Sequence, residues 1–150
     1  MELEKYFIML LANKNVMHFE KPIERTKIIE FENQNKISFP ESYKNLLFLF
    51  NGGEIFIPGT KIFGITDEEE YSVKFNNGKK IRSNFNIPNN YLIIAQLNFG
   101  DFICIDLNYP NRIIQWDHEE DVEFDEWNSL EEWLSEQIRD YMNILEEEKW

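Results

Sequence analysis

The sequence lacks the features that mark secreted and membrane proteins. It contains one cysteine, Cys104, in an apolar run, so no disulfide framework is available and a reducing compartment is expected. The first residues include no basic leader with a small-residue cleavage site, and their apolar stretch is too short to cross a bilayer. We therefore expect a cytoplasmic protein, and its 150 residues suffice for one domain with one hydrophobic core.

Positive charge is scarce in the second half of the chain. Residues 1–82 contain 12 Lys or Arg and 12 Asp or Glu, whereas residues 83–150 contain 3 and 16, so the formal net charge of −13 arises entirely there. Such an excess repels nucleic acid and anionic membranes, and it attracts basic proteins. We therefore expect a protein partner with a basic surface, no nucleic acid and no membrane.

Recognisable catalytic motifs are also missing. There is no G-x-S-x-G, and Cys104 lies in the middle of a predicted strand without a neighbouring base. Four residues of metal-ligand type are Asp117, His118, Glu119 and Asp121. Adjacent residues of an extended chain point to opposite sides, so Asp117 and His118 are not expected to converge. We predict no catalytic residues, no metal and no cofactor.

Apolar residues at helical spacing predict two helices near the N-terminus. The first covers residues 3–11 and ends near Asn13. Pro22 suits the first turn of the second helix, because its missing N–H would have no intrahelical partner there.

Stronger local signals mark a third helix. Ser38 and Glu41 fit a capping box, and Tyr43 lies on the apolar face, where we expect its hydroxyl to be hydrated. The F-N-G-G segment at 50–53 places glycine where a helix can end in a left-handed residue. A phosphate loop needs the reverse order, with glycines before a helix, so this segment is interpreted as a helix stop.

From residue 55 the apolar pattern favours short strands. Five runs predict strands, at residues 55–57, 61–65, 91–97, 101–107 and 112–117. Their connections include P58-G-T and N98-F-G, and the short links among the last three runs exclude parallel crossovers. Residues 67–90 are ambiguous, with a possible short helix at 69–75 in a region otherwise predicted as loop.

A helix at residues 130–147 closes the chain. Ser129 and Glu132 form a second capping box, and the helix has one apolar stripe opposite an acidic face. The predicted fold is a single α+β domain over residues 1–150, with an antiparallel meander sheet packed against N-terminal helices and a C-terminal helix.

A set of motifs recurs here in a recognisable order: a mid-helix glutamate, an F-P-x-x-Y turn, N-G-G, a G-D hairpin, a W-D strand end and an aromatic residue early in the last helix. The residues are Glu30, Pro40, Tyr43, Asn51, Gly52, Gly53, Gly100, Asp101, Trp116, Asp117 and Trp133. This order resembles the SUKH superfamily, also described as the yeast cell-wall assembly regulator domain family. The resemblance covers about residues 22–145.

The resemblance implies an α+β scaffold without catalytic machinery. Bacterial members of the superfamily look mostly like immunity proteins that neutralise a polymorphic or contact-dependent toxin, often a nuclease or deaminase, and fungal relatives are regulatory binding modules. An immunity protein, monomeric or weakly dimeric, is therefore the favoured hypothesis. A regulatory scaffold and a metal-dependent hydrolase are the alternatives. The motif residues would form the fold without identifying the toxin.

The segment from Trp116 to Trp127 is the candidate partner surface, together with nearby parts of the closing helix. Carboxylates accept paired hydrogen bonds from arginine, and tryptophan is a frequent interface anchor. The predicted contact residues are Trp116, Asp117, His118, Glu119, Glu120, Asp121, Glu123, Asp125, Glu126 and Trp127. The alternative is a solvated acidic loop with both tryptophans in the core. For Trp116, which shares a strand face with Ile114, the core is favoured.

Overall fold

The computed structural model describes residues 2–147 of the chain. The first half contains α1 (Glu2–Leu11), β1 (His18–Phe19), α2 (Arg25–Asn35), α3 (Glu41–Leu49), β2 (Gly53–Ile55) and β3 (Thr60–Ile62). The second half contains α4 (Val73–Asn76), α5 (Lys79–Phe85), β4 (Tyr91–Gln96), β5 (Phe102–Asp106), β6 (Ile113–Asp117), β7 (Val122–Trp127) and α6 (Leu130–Glu147). Within these residues no helix is both long and apolar enough to cross a membrane.

The seven strands form one sheet in the order of the sequence, and every neighbouring pair is antiparallel. The predicted α+β domain, with a meander sheet between N-terminal helices and a closing helix, is confirmed. Because each strand pairs with the next one along the chain, β1 and β7 are the two edges. Each edge strand leaves one side of its backbone without a strand partner.

The central strands are buried throughout most of their length, as their continuous apolar runs predicted. Helix α6 contributes Trp133, Leu134 and Ile138 to the core, and it packs beside α1 and against β7. Its predicted cap is confirmed, because Ser129 Oγ accepts the Glu132 N–H at 3.0 Å. The Glu132 carboxylate in turn accepts the N–H of Asn128. The sheet and α6 therefore form one core.

The predicted starts of the second and third helices are wrong. Helix α2 begins at Arg25, not at Pro22, because the Ile23 N–H bonds to the Leu47 carbonyl and holds the preceding residues extended. The residue before α3 is Pro40, and no side chain caps that helix. The predicted Ser38–Glu41 capping box is absent because Pro40, not Ser38, directly precedes the first helical residue. The N–H of Phe39 donates instead to Glu32 Oε2 at 2.8 Å, and Lys44 Nζ lies 3.5 Å from the same oxygen.

The N-G-G segment does not end α3 in the predicted way. The helix ends at Leu49 and is followed by the extended residue Phe50, whereas the left-handed Gly52, with a φ of 83°, comes two residues later. Gly53 has a φ of 146°, and a Cβ there would lie 2.0 Å from the His18 carbonyl oxygen. Gly53 therefore allows the close approach of β1 and β2, whereas a Cβ at Gly52 would lie 2.8 Å from the Ile62 carbonyl oxygen.

Residues 67–90 are more helical than predicted. A 3₁₀ turn at Glu69–Tyr71 and α4 occupy most of the possible helix at 69–75, but the whole of α5 was missed. Its sequence K-K-I-R-S-N-F has only two apolar residues, too few to show helical spacing. The two-residue strand β1 was also missed because it is too short to show alternation.

Candidate protein-interaction surface

The acidic segment forms the last hairpin of the sheet, and we call residues 117–126 the acidic hairpin. The sequence predicted a loop here, but residues 122–127 form the edge strand β7. Pairing with β6 runs from Ile113 and Trp127 to Asp117 and Val122, with a register shift that leaves Phe124 unpaired. Acidic residues have low strand propensity, so composition concealed the alternating pattern of this strand.

The outer face of β7 combines carboxylates with exposed apolar side chains. All its residues before Trp127 are exposed, including Val122 at 52 % and Phe124 at 67 %. Charges on an edge strand also keep sheets from pairing edge to edge, which is the simplest structural explanation of the acids. That explanation does not account for an exposed phenylalanine among them. Apolar groups rimmed by polar ones are typical of interaction surfaces.

Two carboxylates of β7 are paired with Arg112. The guanidinium bonds to Glu126 through Nε at 2.6 Å and to Glu123 through Nη2 at 2.7 Å. Its Nη1 lies 3.1 Å from the Tyr91 hydroxyl and 3.4 Å from Asp106 Oδ2, and the Tyr91 hydroxyl also contacts Glu123. Arg112 therefore ties β7 to β4 and β5. Glu123 and Glu126 are partly satisfied within the chain.

The turn of the hairpin exposes two further carboxylates. Asp117 Oδ1 accepts the N–H groups of Glu119 and Glu120, at 2.8 and 3.0 Å, and so fixes the turn. Asp121 accepts a hydrogen bond from the Asn86 amide at 3.0 Å. The Glu119 side chain is 78 % exposed, and its nearest cationic atom, His118 Nε2, is 3.8 Å away. Glu119 and Glu120 are thus available for an incoming cation.

A buried carboxylate anchors the turn to the rest of the sheet. Asp101 Oδ1 accepts the His118 backbone N–H at 3.0 Å and lies 2.5 Å from His118 Nδ1, while Oδ2 accepts the Gln115 amide at 2.8 Å. Burial alone would raise the pKa of Asp101, but the hydrogen bonds from Gln115 and His118 outweigh it and hold that pKa below its usual value. The hydrogen bond to Asp101 raises the pKa of His118.

Three side chains of types that bind metals lie closer together than the sequence predicted. The ligand atoms of Asp101, Asp117 and His118 lie within 4.8 Å of one another. The expectation that Asp117 and His118 cannot converge is wrong, because β6 ends at Asp117 and the turn changes the chain direction there. However, both oxygens of Asp101 and Oδ1 of Asp117 already accept hydrogen bonds from other residues of the chain. We therefore propose no metal at this cluster.

Both tryptophans of the predicted contact set lie in the core. Trp116 is 6 % exposed and donates its indole N–H to the Phe85 carbonyl at 2.8 Å. Trp127 is 8 % exposed and donates to Glu136 of α6. The core placement favoured for Trp116 is what the structure shows. Their role as partner contacts stays a prediction, and the exposed apolar area of the hairpin comes from Val122 and Phe124 instead.

Tyr43 and Cys104, two side chains of types that can serve in catalysis, are sequestered. The Tyr43 hydroxyl donates to the Phe63 carbonyl at 2.6 Å, and the side chain is fully buried, so the expectation of a hydrated hydroxyl is wrong. Burial raises the pKa of Tyr43, and burial likewise raises the pKa of the Cys104 thiol. Raised pKa values make these groups poor proton donors or nucleophiles at neutral pH.

Several of the motif residues make contacts inside the fold. Asn51 exchanges two 2.8 Å hydrogen bonds with the backbone of Ile65, one through each amide atom. Trp133 is fully buried in α6. Glu30 is exposed and lies 3.7 Å from Lys27, while its helix neighbour Glu32 makes the buried contacts described above. The role of Glu30 in the signature therefore stays a prediction.

Comparison with known proteins identifies the family. The family model SUKH_6, described as SMI1-KNR4 cell-wall, matches residues 25–134, which is more than half of the chain. The chain belongs to this SUKH family. The family includes toxin-immunity proteins. The match contains every motif residue named above, and it lies within the range of the resemblance found in the sequence.

A solved structure supports the same fold. A crystal structure of a protein from Pseudomonas syringae pv. tomato is similar to this chain with a TM-score of 0.68 and 14 % identity. The match covers 88 % of this chain and 95 % of that chain. At this identity the similarity concerns the fold alone. No curated protein matches the sequence.

Arg112 is the residue of the candidate surface that the sequence interpretation missed. It is the only Lys or Arg between residues 83 and 138, in a region otherwise rich in acids. An isolated cation in such a region is a signal for an internal ion-pair network. Its presence would have indicated that part of the negative charge is already neutralised.

Proposed function

We propose that this chain is an immunity protein that binds and neutralises a basic toxin domain, of nuclease or deaminase type, through the acidic hairpin. The observation that carries the proposal is the composition of β7 and its turn: an unpaired strand edge, exposed Val122 and Phe124, and the exposed carboxylates of Glu119 and Glu120. Family membership supports it, because the family includes toxin-immunity proteins. In this role the chain acts in the cytoplasm and performs no chemistry.

The hairpin suits a cationic partner in two stages. Long-range attraction between the acidic half of the chain and a basic surface accelerates encounter. In the docked complex, carboxylates at the turn accept hydrogen bonds from arginine, and Phe124 supplies apolar area at the centre of the contact. The Arg112 network keeps β7 in place, so little conformational freedom is lost on binding.

Charge reversal tests this proposal. The partner is the purified C-terminal domain of a secreted toxin encoded beside this chain's gene, and association is followed by stopped-flow fluorescence. The double variant Glu119→Lys, Glu120→Lys should slow association about tenfold or more, and added salt should slow the unaltered protein similarly.

The matched control is Glu68→Lys, Glu69→Lys, which changes the net charge equally at exposed acids outside the hairpin. This control should slow association much less. Equal effects of the two variants would contradict a contact at the hairpin. A dissociation constant in the micromolar range without inhibition would favour a regulatory scaffold, because neutralising a toxin requires nanomolar or tighter binding.

A further inference from the structure

The described structure also contains a positively charged region, and it lies in the same chain segment as α4 and α5. Residues 71–100 contain no Asp or Glu, but they include Lys74, Lys79, Lys80 and Arg82. An acid-free stretch of thirty residues contrasts with the rest of a chain whose net charge is −13. Its cations are therefore not neutralised by their sequence neighbours.

These cations border two adjoining clefts between α2 and α4–α5, which we call together the lysine cleft. The outer cleft has a volume of about 700 Å³, with Lys74, Lys79 and Lys80 on one side and Phe31 on the other. The inner cleft, of about 340 Å³, shares Phe31 and Lys74 and reaches Arg82. These volumes lie in the range of ligand-binding pockets.

The walls of the lysine cleft are largely apolar. Phe31, Ile37, Phe39, Val73 and Leu92 line the inner part. Phe31 and Phe39 stack with ring centroids 5.5 Å apart, and Phe39, Val73 and Leu92 belong to the buried core. The apolar floor is therefore a rigid extension of the core.

The lysines of the rim are free to bind a ligand. Lys74, Lys79 and Lys80 are exposed, and none of their ammonium groups forms an ion pair or hydrogen bond with any residue that the structure describes. Asp67 is the one carboxylate that lines the outer cleft among these residues. Three lysines against one aspartate leave the rim with a net positive charge.

Arg82 adds an uncompensated charge to the inner cleft. Its half-buried guanidinium donates to the Asn77, Pro88 and Tyr91 carbonyls and to Asn77 Oδ1, at 2.7–3.0 Å. None of these acceptors is a carboxylate, and in the described part of the chain Arg82 forms no ion pair. Four bonds leave one of its five N–H groups unused. A half-buried cation without a counter-ion favours an anionic ligand.

We propose that the lysine cleft binds an acidic peptide segment of a partner protein, in which carboxylate side chains flank an apolar side chain. The apolar side chain lies against the Phe31 and Phe39 wall, and the carboxylates face Lys74, Lys79 and Lys80. Nucleic acid offers negative charge as well, but the strongly acidic remainder of the chain repels a long polyanion. This site is independent of the acidic hairpin and of the proposed immunity function.

A peptide titration tests the proposal. The probe is an N-acetylated, C-amidated hexapeptide that alternates glutamate with leucine or phenylalanine, added to the full chain and followed by amide chemical shifts. We expect saturable shifts at Lys74, Gly78 and Lys79. The double variant Lys79→Glu, Lys80→Glu should weaken binding at least tenfold, because it replaces two attractive charges with repulsive ones.

The control variant is Lys14→Glu, Lys21→Glu, which makes the same change in net charge at exposed lysines outside both clefts. It should reduce affinity less than twofold. Both pairs of lysines are exposed and free of ion pairs in the described structure, so neither variant should unfold the chain, and thermal melting verifies this.

Three comparison ligands identify the occupant. A peptide with glutamine replacing glutamate should lose at least tenfold in affinity, and equal binding would overturn the proposal. A version with one free C-terminal carboxylate and no acidic side chains should bind more weakly; stronger binding would assign the cleft to a chain terminus. A single-stranded DNA hexanucleotide that bound more tightly than the peptide would also overturn it, as would the absence of saturable shifts.

Discussion

The two ends of the sheet differ in what their residues contact. At the end formed by β1, β2 and β3, which we call the glycine end, the motif residues Asn51, Gly52 and Gly53 lie against backbone atoms at distances that admit no further side chain. At the other end, the acidic hairpin exposes nearly all of its side chains. The motif residues of the glycine end therefore contribute to the scaffold.

The same comparison explains why negative charge accumulates at one end. A buried backbone contact tolerates no charge, whereas an exposed edge strand tolerates several. The Arg112 network and the Asp101–His118 pair hold the hairpin against the sheet without covering it. The inner side of the hairpin is thus bonded to the sheet, and its outer side remains exposed.

The largest expected effect is a loss of stability on substitution of a glycine at the glycine end. Gly53→Ala should destabilise the protein by roughly 3 kcal/mol or more, because its Cβ would lie 2.0 Å from the His18 carbonyl at a positive φ. Urea denaturation measures the loss. Gly78→Ala is the matched control, with a φ of −72° and a nearest contact of 3.0 Å, and it should cost less than about 1 kcal/mol. Equal losses would refute the close-approach explanation.

A smaller effect is expected from the network that holds the hairpin. Arg112→Gln should lower the free energy of unfolding by about 1 kcal/mol, since it removes the ion pairs to Glu123 and Glu126 from a partly exposed network. The loss should shrink in high salt. Arg139→Gln is the control: Arg139 is 67 % exposed and approaches Glu136 only to 4.0 Å, so its removal should leave stability unchanged. A loss as large from that variant would show that the network is unimportant.

The smallest effect concerns pH. His118 has a raised pKa in the folded chain, so its contribution to stability is fully present below the ordinary imidazole value of 6.5 and is lost as pH rises through the folded value. Asp101 has a lowered pKa, so its contribution is present above the ordinary value of 3.8 and is lost as pH falls through the folded value. The pair therefore stabilises the hairpin most between these two ordinary values.

Comparison of unfolding free energies with those of His118→Asn checks this dependence. The difference in unfolding free energy between the unaltered protein and His118→Asn should decrease above pH 6.5. The control variant His18→Asn removes the other imidazole. When His118→Asn is added to this control variant, the difference in unfolding free energy should show the same decrease. If the difference were constant from pH 5 to pH 8, the His118–Asp101 pair would not be linked to folding.

The sequence predicted those elements whose signals are local. The Ile-rich strands β4, β5 and β6 and the capped helix α6 follow from hydrophobic runs and a Ser–Glu pair. The capping box at Ser38 was wrong because α3 begins at Glu41 with Pro40 before it, while Glu32, on another helix, takes the N–H of Phe39. Long-range pairing of this kind has no signature in a short window of sequence.

Amino-acid composition located the candidate surface, but it did not predict the structure of that segment. The acids of residues 117–126 indicated an exposed segment, while pairing with β6 turned it into an edge strand and Arg112 neutralised part of it. The lysine cleft was missed entirely. The acid-free composition of residues 71–100 was not singled out in the sequence, and its lysines come to line a cleft only because α2 lies opposite α4 and α5.

The most direct test of the account is a hydrogen-exchange map of the chain bound to the toxin domain encoded beside its gene. If the acidic hairpin is the contact, backbone amides of the turn and of β7 should exchange more slowly in the complex, and those of β1 and β2 should not change. Protection confined to the glycine end, with β7 unaffected, would contradict the central claim that this protein acts by presenting its acidic edge to a partner.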